Sequence, residues 1–99
     1  MKFEAICAIA TPMGSSALGI IRLSGKDLSP FFKKVFSKTL ADRKATLVNI
    51  FDGDNLLDRS IVIYYKSPRS YTGEDLIEII CHGNQIIMNS IIDLLIKNG

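Results

Sequence analysis

The amino-acid sequence predicts an α+β domain, a mixed but largely antiparallel sheet of about five strands with two helices on one face, and three observations carry that expectation. The 99 residues suffice for one small domain with a single core, and 47% apolar against 22% charged residues is the balance of a folded globular chain. Short runs rich in Ile, Val, Leu, Phe and Tyr recur between clusters of Gly, Pro, Asp and Asn, the punctuation of strands and tight turns. Two segments instead place apolar residues at three- and four-residue spacing behind a helix-start signal.

Phe3 to Ala10 reads as a first strand, halted at Thr11-Pro12 because proline cannot donate to a ladder. Met13 to Ala17 is a loop of small residues. Gly19 to Leu23 is a second strand, closed by Ser24-Gly25, with Arg22 between apolar neighbours. Ser29-Pro30 opens a helix, the hydroxyl as cap and the proline at the first helical position, where a missing N–H costs nothing. Phe32, Val35 and Phe36 give that helix an inner face to about Lys38, and Leu40 to Lys44 is connecting chain. Thr46 to Phe51 and Leu57 to Lys66 flank Asp52-Gly53-Asp54-Asn55, whose residues tolerate left-handed backbone angles, so the two strands form a hairpin. Ile61 to Tyr65 is apolar on both faces and predicts a central strand covered on each side.

Ser67 to Asp75 is a polar loop, and Leu76 to Cys81 is a fifth strand with Glu78 as its one charge. Gly83-Asn84 starts the last helix, in which Ile87, Ile91, Leu94 and Leu95 form one stripe. Ile86, Ile92 and Ile96 widen that stripe beyond what one sheet face needs, so a partner subunit or further residues are expected to cover it.

A net charge of +2 is too small to mark a nucleic-acid binder. Lys33, Lys34 and Lys38, with Arg43 and Lys44, read as a solvated helix face before they read as a phosphate-contacting patch. Cys7 and Cys81 sit in apolar runs with no ligand partner at metal-binding spacing, which predicts buried free thiols and no metal site. The amino-terminal stretch has neither the uninterrupted apolar core of a secretion signal nor the ~20 residues that span a bilayer, so a cytoplasmic protein without membrane contact is expected.

Gly14 to Gly19 has the two-glycine spacing of a phosphate-binding loop, but Ile20 and Ile21 stand where that chemistry needs Lys and a hydroxyl, so the match is rejected. Arg22 in an apolar strand needs a partner, either solvent at a sheet edge or an anion or carbonyl that its fork of donors would grip. Glu74 and Asp75 are adjacent and point to opposite faces, so they cannot work together on one substrate atom. Glu78 requires a cationic partner, a raised pKa or a ligand; a salt bridge to Arg22 and a bidentate bond to a heterocycle with N–H and amino donors both satisfy it. His82 reads as a structural hydrogen-bonding group, and no catalytic residue is assigned.

Three blocks assemble into a pattern. Ala8-Ile9-Ala10-Thr11-Pro12, Gly19-Ile20-Ile21-Arg22-Leu23-Ser24-Gly25, and Ser70-Tyr71-Thr72-Gly73-Glu74-Asp75 through Glu78 to His82-Gly83 closely resemble the amino-terminal domain of the tRNA modification GTPases, the MnmE or TrmE family. The resemblance spans nearly the whole chain and implies an amino-terminal domain, here residues 1–99, belonging to a longer protein. It implies a fold like the folate-binding fold of aminomethyltransferases, a homodimer, and a site for 5-formyltetrahydrofolate or a related one-carbon tetrahydrofolate. Arg22 and Glu78 match the family's folate contacts.

The complete protein, by the same resemblance, works with a flavin-containing partner on the wobble uridine of certain tRNAs, and GTP, Mg and K belong to its other domains. This chain by itself is therefore expected to lack GTPase activity and to bind folate weakly or undetectably. Asn84 stands where the family has the second glycine of His-Gly-Gly; asparagine tolerates the left-handed conformation that a glycine would supply, so the change need not break the turn. Two other readings stay open: a free-standing folate-dependent one-carbon transferase, and a structural dimerisation domain in which Arg22 and Glu78 merely pair.

Overall fold

The computed structural model describes residues 5–10, 18–68, 70 and 72–99. The part of the expected first strand before residue 5, the small-residue loop at 13–17 with most of the rejected two-glycine segment, and Tyr71 lie outside the described residues. The elements run β1 (Ile6–Ile9), β2 (Leu18–Gly25), α1 (Ser29–Lys34), β3 (Ala45–Asp52), β4 (Asn55–Tyr65), β5 (Asp75–His82) and α2 (Gln85–Lys97). The strands form one five-stranded sheet in the order β1-β2-β5-β4-β3, and each neighbouring pair is antiparallel. The expected α+β class holds, with the sheet antiparallel throughout.

Strand alternation sorts the side chains onto two faces. Ile21 and Leu23 of β2, Ile77 and Ile79 of β5, Val62 of β4 and Val48 and Ile50 of β3 point to one side and are buried. Phe31, Val35 and Phe36 from α1 and its exit, and Met88, Ile91, Leu94 and Leu95 from α2, complete the same cluster, so both helices cover this one face. Each such side chain is worth about 1.5–3 kcal/mol when fully buried, which makes this cluster the main source of stability. The chain leaves β2 near the middle of the sheet and re-enters at the edge strand β3, so α1 has to cross the covered face.

Gly19 lets α2 sit close. A Cβ there would lie 2.5 Å from the Met88 sulfur, so the absence of a side chain makes room for the methionine against β2. Asn84 caps α2 by accepting from the backbone N–H groups of Ile86 at 2.8 Å and Ile87 at 3.2 Å. Its φ of −94° is extended, so the left-handed tolerance of asparagine is not called on: the amide oxygen instead takes up orphan helix donors, which glycine cannot do.

The start of α1 is a second difference. Ser29 already lies inside the helix, and its N–H is taken by the Asp27 carboxylate at 3.0 Å, so the acidic residue two positions earlier does what the serine hydroxyl was expected to do. The helix also ends at Lys34 rather than near Lys38, with Ser37 at φ 56°, while Val35 and Phe36 stay buried beyond it. The β3–β4 hairpin turns through Gly53 at φ 62°, as the Asp-Gly-Asp-Asn run requires, with a register shift between Ile50 and Phe51. β4 is flanked by strands on both sides as expected, but it is not covered on both faces, because Ile61 remains 43% exposed.

Candidate functional site

The face without helices carries the charges that the sequence singled out. Register places Arg22 of β2 opposite Glu78 of β5, and Glu78 opposite Ile63 of β4. Arg22 Nε donates to Glu78 Oε2 at 2.9 Å, with the two side chains 45% and 18% exposed. Tyr65, diagonal to Glu78 on β4, donates its hydroxyl to Oε1 at 3.4 Å. Burial, then the neighbouring Glu78 charge, pushes the Tyr65 phenol upward, so it stays a donor.

Arg43 completes the group. Its guanidinium lies over the Tyr65 ring, 5.4 Å from the centroid, in reach of a cation–π attraction. The backbone that aims it there is unusual: φ is 60°, a left-handed conformation in which the Cβ crowds the following carbonyl at a cost of about 1 kcal/mol or more. It is held by the Arg43 N–H on the Tyr64 carbonyl at 2.6 Å and by the Asp42 carboxylate, which accepts from the Lys66 N–H at 2.8 Å. One register step along the sheet, Ile20, Ile80, Ile61 and Leu47 line up in an apolar row. A polar cluster of two arginines, one glutamate and one tyrosine thus borders an open apolar surface.

Glu74 and Asp75 do separate, as strand geometry demanded. Asp75 is 4% exposed on the covered side, where Oδ2 accepts from Leu28 N–H at 3.1 Å and Tyr64 hydroxyl at 3.2 Å, and Oδ1 from Ser67 N–H at 3.0 Å. Burial works against its charge, yet these donors outweigh it and hold the carboxyl below its ordinary value. Tyr64, by burial and by the Asp75 charge, is pushed up to about 12. Glu74 instead accepts from the Ser24 hydroxyl at 3.3 Å, and Thr72 Oγ1 bonds both Ser24 Oγ at 3.0 Å and the Glu74 N–H at 3.4 Å. Ser70 Oγ closes the loop onto the Glu74 carbonyl.

His82 is not with Arg22 and Glu78. Its Nδ1 lies 2.6 Å from Asp58 Oδ1, at the far end of β5. Both cysteines are free, Cys81 buried and Cys7 half-buried, and burial raises both thiols, that of Cys81 to about 11. Among the described residues no group of His, Cys, Asp and Glu is arranged to hold a metal, and no helix is long and apolar enough to cross a membrane. A cavity of about 500 Å³ opens beside α1, between Phe32, Tyr64, Asp75 and Lys66, away from Arg22 and Glu78. The basic residues do not form one patch: Lys33 and Lys34 are solvated, Lys38 Nζ donates to the Leu47 carbonyl at 2.7 Å, and Arg43 stacks on Tyr65.

Tyr65, Arg43 and Asp58 were missed from sequence. Asp58 carried the same signal as Glu78, a lone carboxylate inside a strand. Tyr65 was hidden in an apolar run, and nothing in the connecting chain foretold the left-handed turn that aims Arg43.

A family model described as the GTP-binding protein TrmE N-terminus matches residues 5–99. A tRNA modification GTPase MnmE of Francisella philomiragia is 44% identical over 96 residues, which are 97% of this chain and 21% of that protein. A protein of the same description from Francisella tularensis subsp. novicida is 45% identical over the same shares. The chain therefore spans about a fifth, 21%, of the length of these relatives.

Proposed function

Since this chain belongs to the family of TrmE amino-terminal domains, we propose that it is the folate-binding, dimer-forming part of a longer cytoplasmic protein that hydrolyses GTP and modifies the wobble uridine of certain tRNAs. The observation that carries the reading is the Arg22–Glu78 pair, joined at 2.9 Å on the sheet face that the helices leave open.

The donor set suits a one-carbon tetrahydrofolate such as 5-formyltetrahydrofolate. Glu78 accepts one bond on each oxygen, and a carboxylate offers about four acceptor positions, so capacity remains for the ring N–H and amino group of a pterin edge. Arg22 is suited to a carbonyl or carboxylate of the same ligand. Ile20, Ile80 and Ile61 supply the apolar floor on which a ring face rests. When bound, the folate supplies the one-carbon unit; the residues of this chain bind and orient it. GTP with its Mg and K, the flavin-containing partner and the tRNA are assigned to the longer protein.

A second copy of the chain would cover the apolar surface that stays open at Leu47, Phe51 and Ile61, 48%, 42% and 43% exposed. On α2, Ile92 packs against the core and only Ile86 and Ile96 stay outward, so the sheet face offers the larger apolar surface.

Glu78→Ala tests the reading by calorimetric titration with 5-formyltetrahydrofolate beside thermal melting. Binding is expected to weaken at least about tenfold, while the melting temperature moves by no more than about 8 °C, because an ion pair whose arginine stays 45% exposed contributes less than about 1 kcal/mol. A large loss of stability with unchanged folate binding would instead make the pair purely structural.

A further inference from the structure

Glu78 is held by one donor on each oxygen, and the two donors are unequal. Arg22 Nε reaches Oε2 at 2.9 Å from directly across the strand pair. The Tyr65 hydroxyl reaches Oε1 at 3.4 Å from a diagonal position on β4. A bond of that length is close to the limit of a useful one, so it lasts only while the ring stays in place. Tyr65 is half-buried and its side chain turns about two torsions, so the sheet alone does not fix the ring.

The restraint comes from the connecting chain before β3. There the Arg43 N–H is bonded to the Tyr64 carbonyl at 2.6 Å, and the guanidinium rests 5.4 Å from the Tyr65 centroid. Burial and the Glu78 charge raise the Tyr65 phenol, while the charges of Arg43 and Arg22 both act the other way, so both arginines are within electrostatic reach of its hydroxyl. The backbone bond needs no side chain: glycine at 43 would make it too, and would adopt φ 60° without strain. The contact from Arg43 Nε to Asp42, at 4.0 Å with both side chains exposed, adds little. A cation–π stack at so open a place returns no more than the left-handed angle costs. Folding stability alone therefore gives little reason to place an arginine there.

We infer that Arg43 is a positioning residue of the open-face site: by stacking on Tyr65 it keeps the hydroxyl on Glu78 Oε1, so that the carboxylate, held from both sides, meets a ligand's paired N–H donors in one orientation. The inference rests on the folate reading, in which those donors are the ring N–H and amino group of the pterin edge.

Arg43→Gly and Tyr65→Phe test it. In the free, isotope-labelled chain both should move the Glu78 carboxyl carbon resonance. In a titration with 5-formyltetrahydrofolate to millimolar concentration, followed at the Glu78 backbone amide, each should weaken binding about fivefold. The double variant should bind no more weakly than the worse single one, because both changes cut the same link. The melting temperature of Arg43→Gly should stay within about 8 °C of the unaltered chain, and a larger fall makes Arg43 a structural residue and overturns the inference. A Glu78 carboxyl resonance that stays still in Arg43→Gly, folate binding that is unchanged there, or single effects that multiply in the double variant also overturn it and leave the folate reading standing. If the Glu78 amide of the unaltered chain does not respond to folate, the folate reading falls and this inference with it.

Discussion

Replacing Asp75 with alanine separates a carboxylate that holds the domain together from Glu78, three residues further along the same strand, which is assigned to the proposed ligand site. Asp75 is 4% exposed and accepts three hydrogen bonds, from the N–H of Leu28 before α1, the N–H of Ser67 after β4, and the hydroxyl of Tyr64 within β4. Alanine leaves all three donors facing a methyl group. A buried unsatisfied donor costs about 1–3 kcal/mol. Ser67 is only half-buried and can turn to water, so the two inner donors dominate and the expected loss is about 3–5 kcal/mol, a large part of the 5–15 kcal/mol that such domains possess. Asparagine keeps an oxygen for Leu28 and Tyr64 but turns an amide towards the Ser67 N–H, and should cost about 1.5–3 kcal/mol. Urea unfolding followed by circular dichroism measures both.

The pH dependence has a definite sign. The folded carboxyl titrates below its unfolded value of about 3.9. Its contribution is therefore fully present above that pH and is lost as the pH falls through the lower, folded value. The acid limb of the stability curve should be shallower in Asp75→Asn than in the unaltered chain. An alanine variant that loses less than about 1 kcal/mol refutes the reasoning, because three charge-assisted bonds would then be worth no more than one exposed ion pair.

Two further outcomes test packing and assembly. Gly19→Val should cost about 2–3 kcal/mol in the same unfolding assay, and Gly19→Ala less, because the added Cβ meets the flexible end of Met88 rather than backbone. Ile61→Lys, on the open face and 43% exposed, should leave stability within about 1 kcal/mol but convert a dimer to monomer by sedimentation equilibrium; an unaltered chain that is itself monomeric at high concentration removes this face from the assembly.

The fold was legible where local chemistry decides it. Gly53 turns the hairpin as its Asp-Gly-Asp-Asn setting required, Pro30 sits in the first turn of α1, and the stripe of Ile87, Ile91, Leu94 and Leu95 runs along α2 as its spacing foretold. Legibility failed where register and tertiary reach decide. That Arg22 lies opposite Glu78 was one option among several, because pairing between β2 and β5 joins residues 56 apart and no local pattern selects it. The Asp58–His82 bond likewise joins two strands 24 residues apart. The cover expected over Ile61 to Tyr65 failed for a different reason: an apolar run records that a face shuns water, not what covers it.

That distinction bears on the open face itself. An isolated domain would lose little by exchanging Arg22, Glu78 and Tyr65 for apolar residues, since replacing a partly buried ion pair by well-packed hydrophobic side chains is often neutral or stabilising. Arg22 also retains much of its hydration at 45% exposure, so the pair adds little to folding. Arg43 holds a left-handed backbone angle and stacks over Tyr65, an arrangement that opposes local backbone preference. Charges kept on an apolar sheet at little gain in stability, with a strained backbone aiming one of them, favour the proposed ligand site over a purely structural role for the pair. The contrast with Asp75 makes the point within a single strand: on the covered face a carboxylate has its donors supplied by the fold, whereas on the open face Glu78 keeps acceptor capacity that the fold does not use.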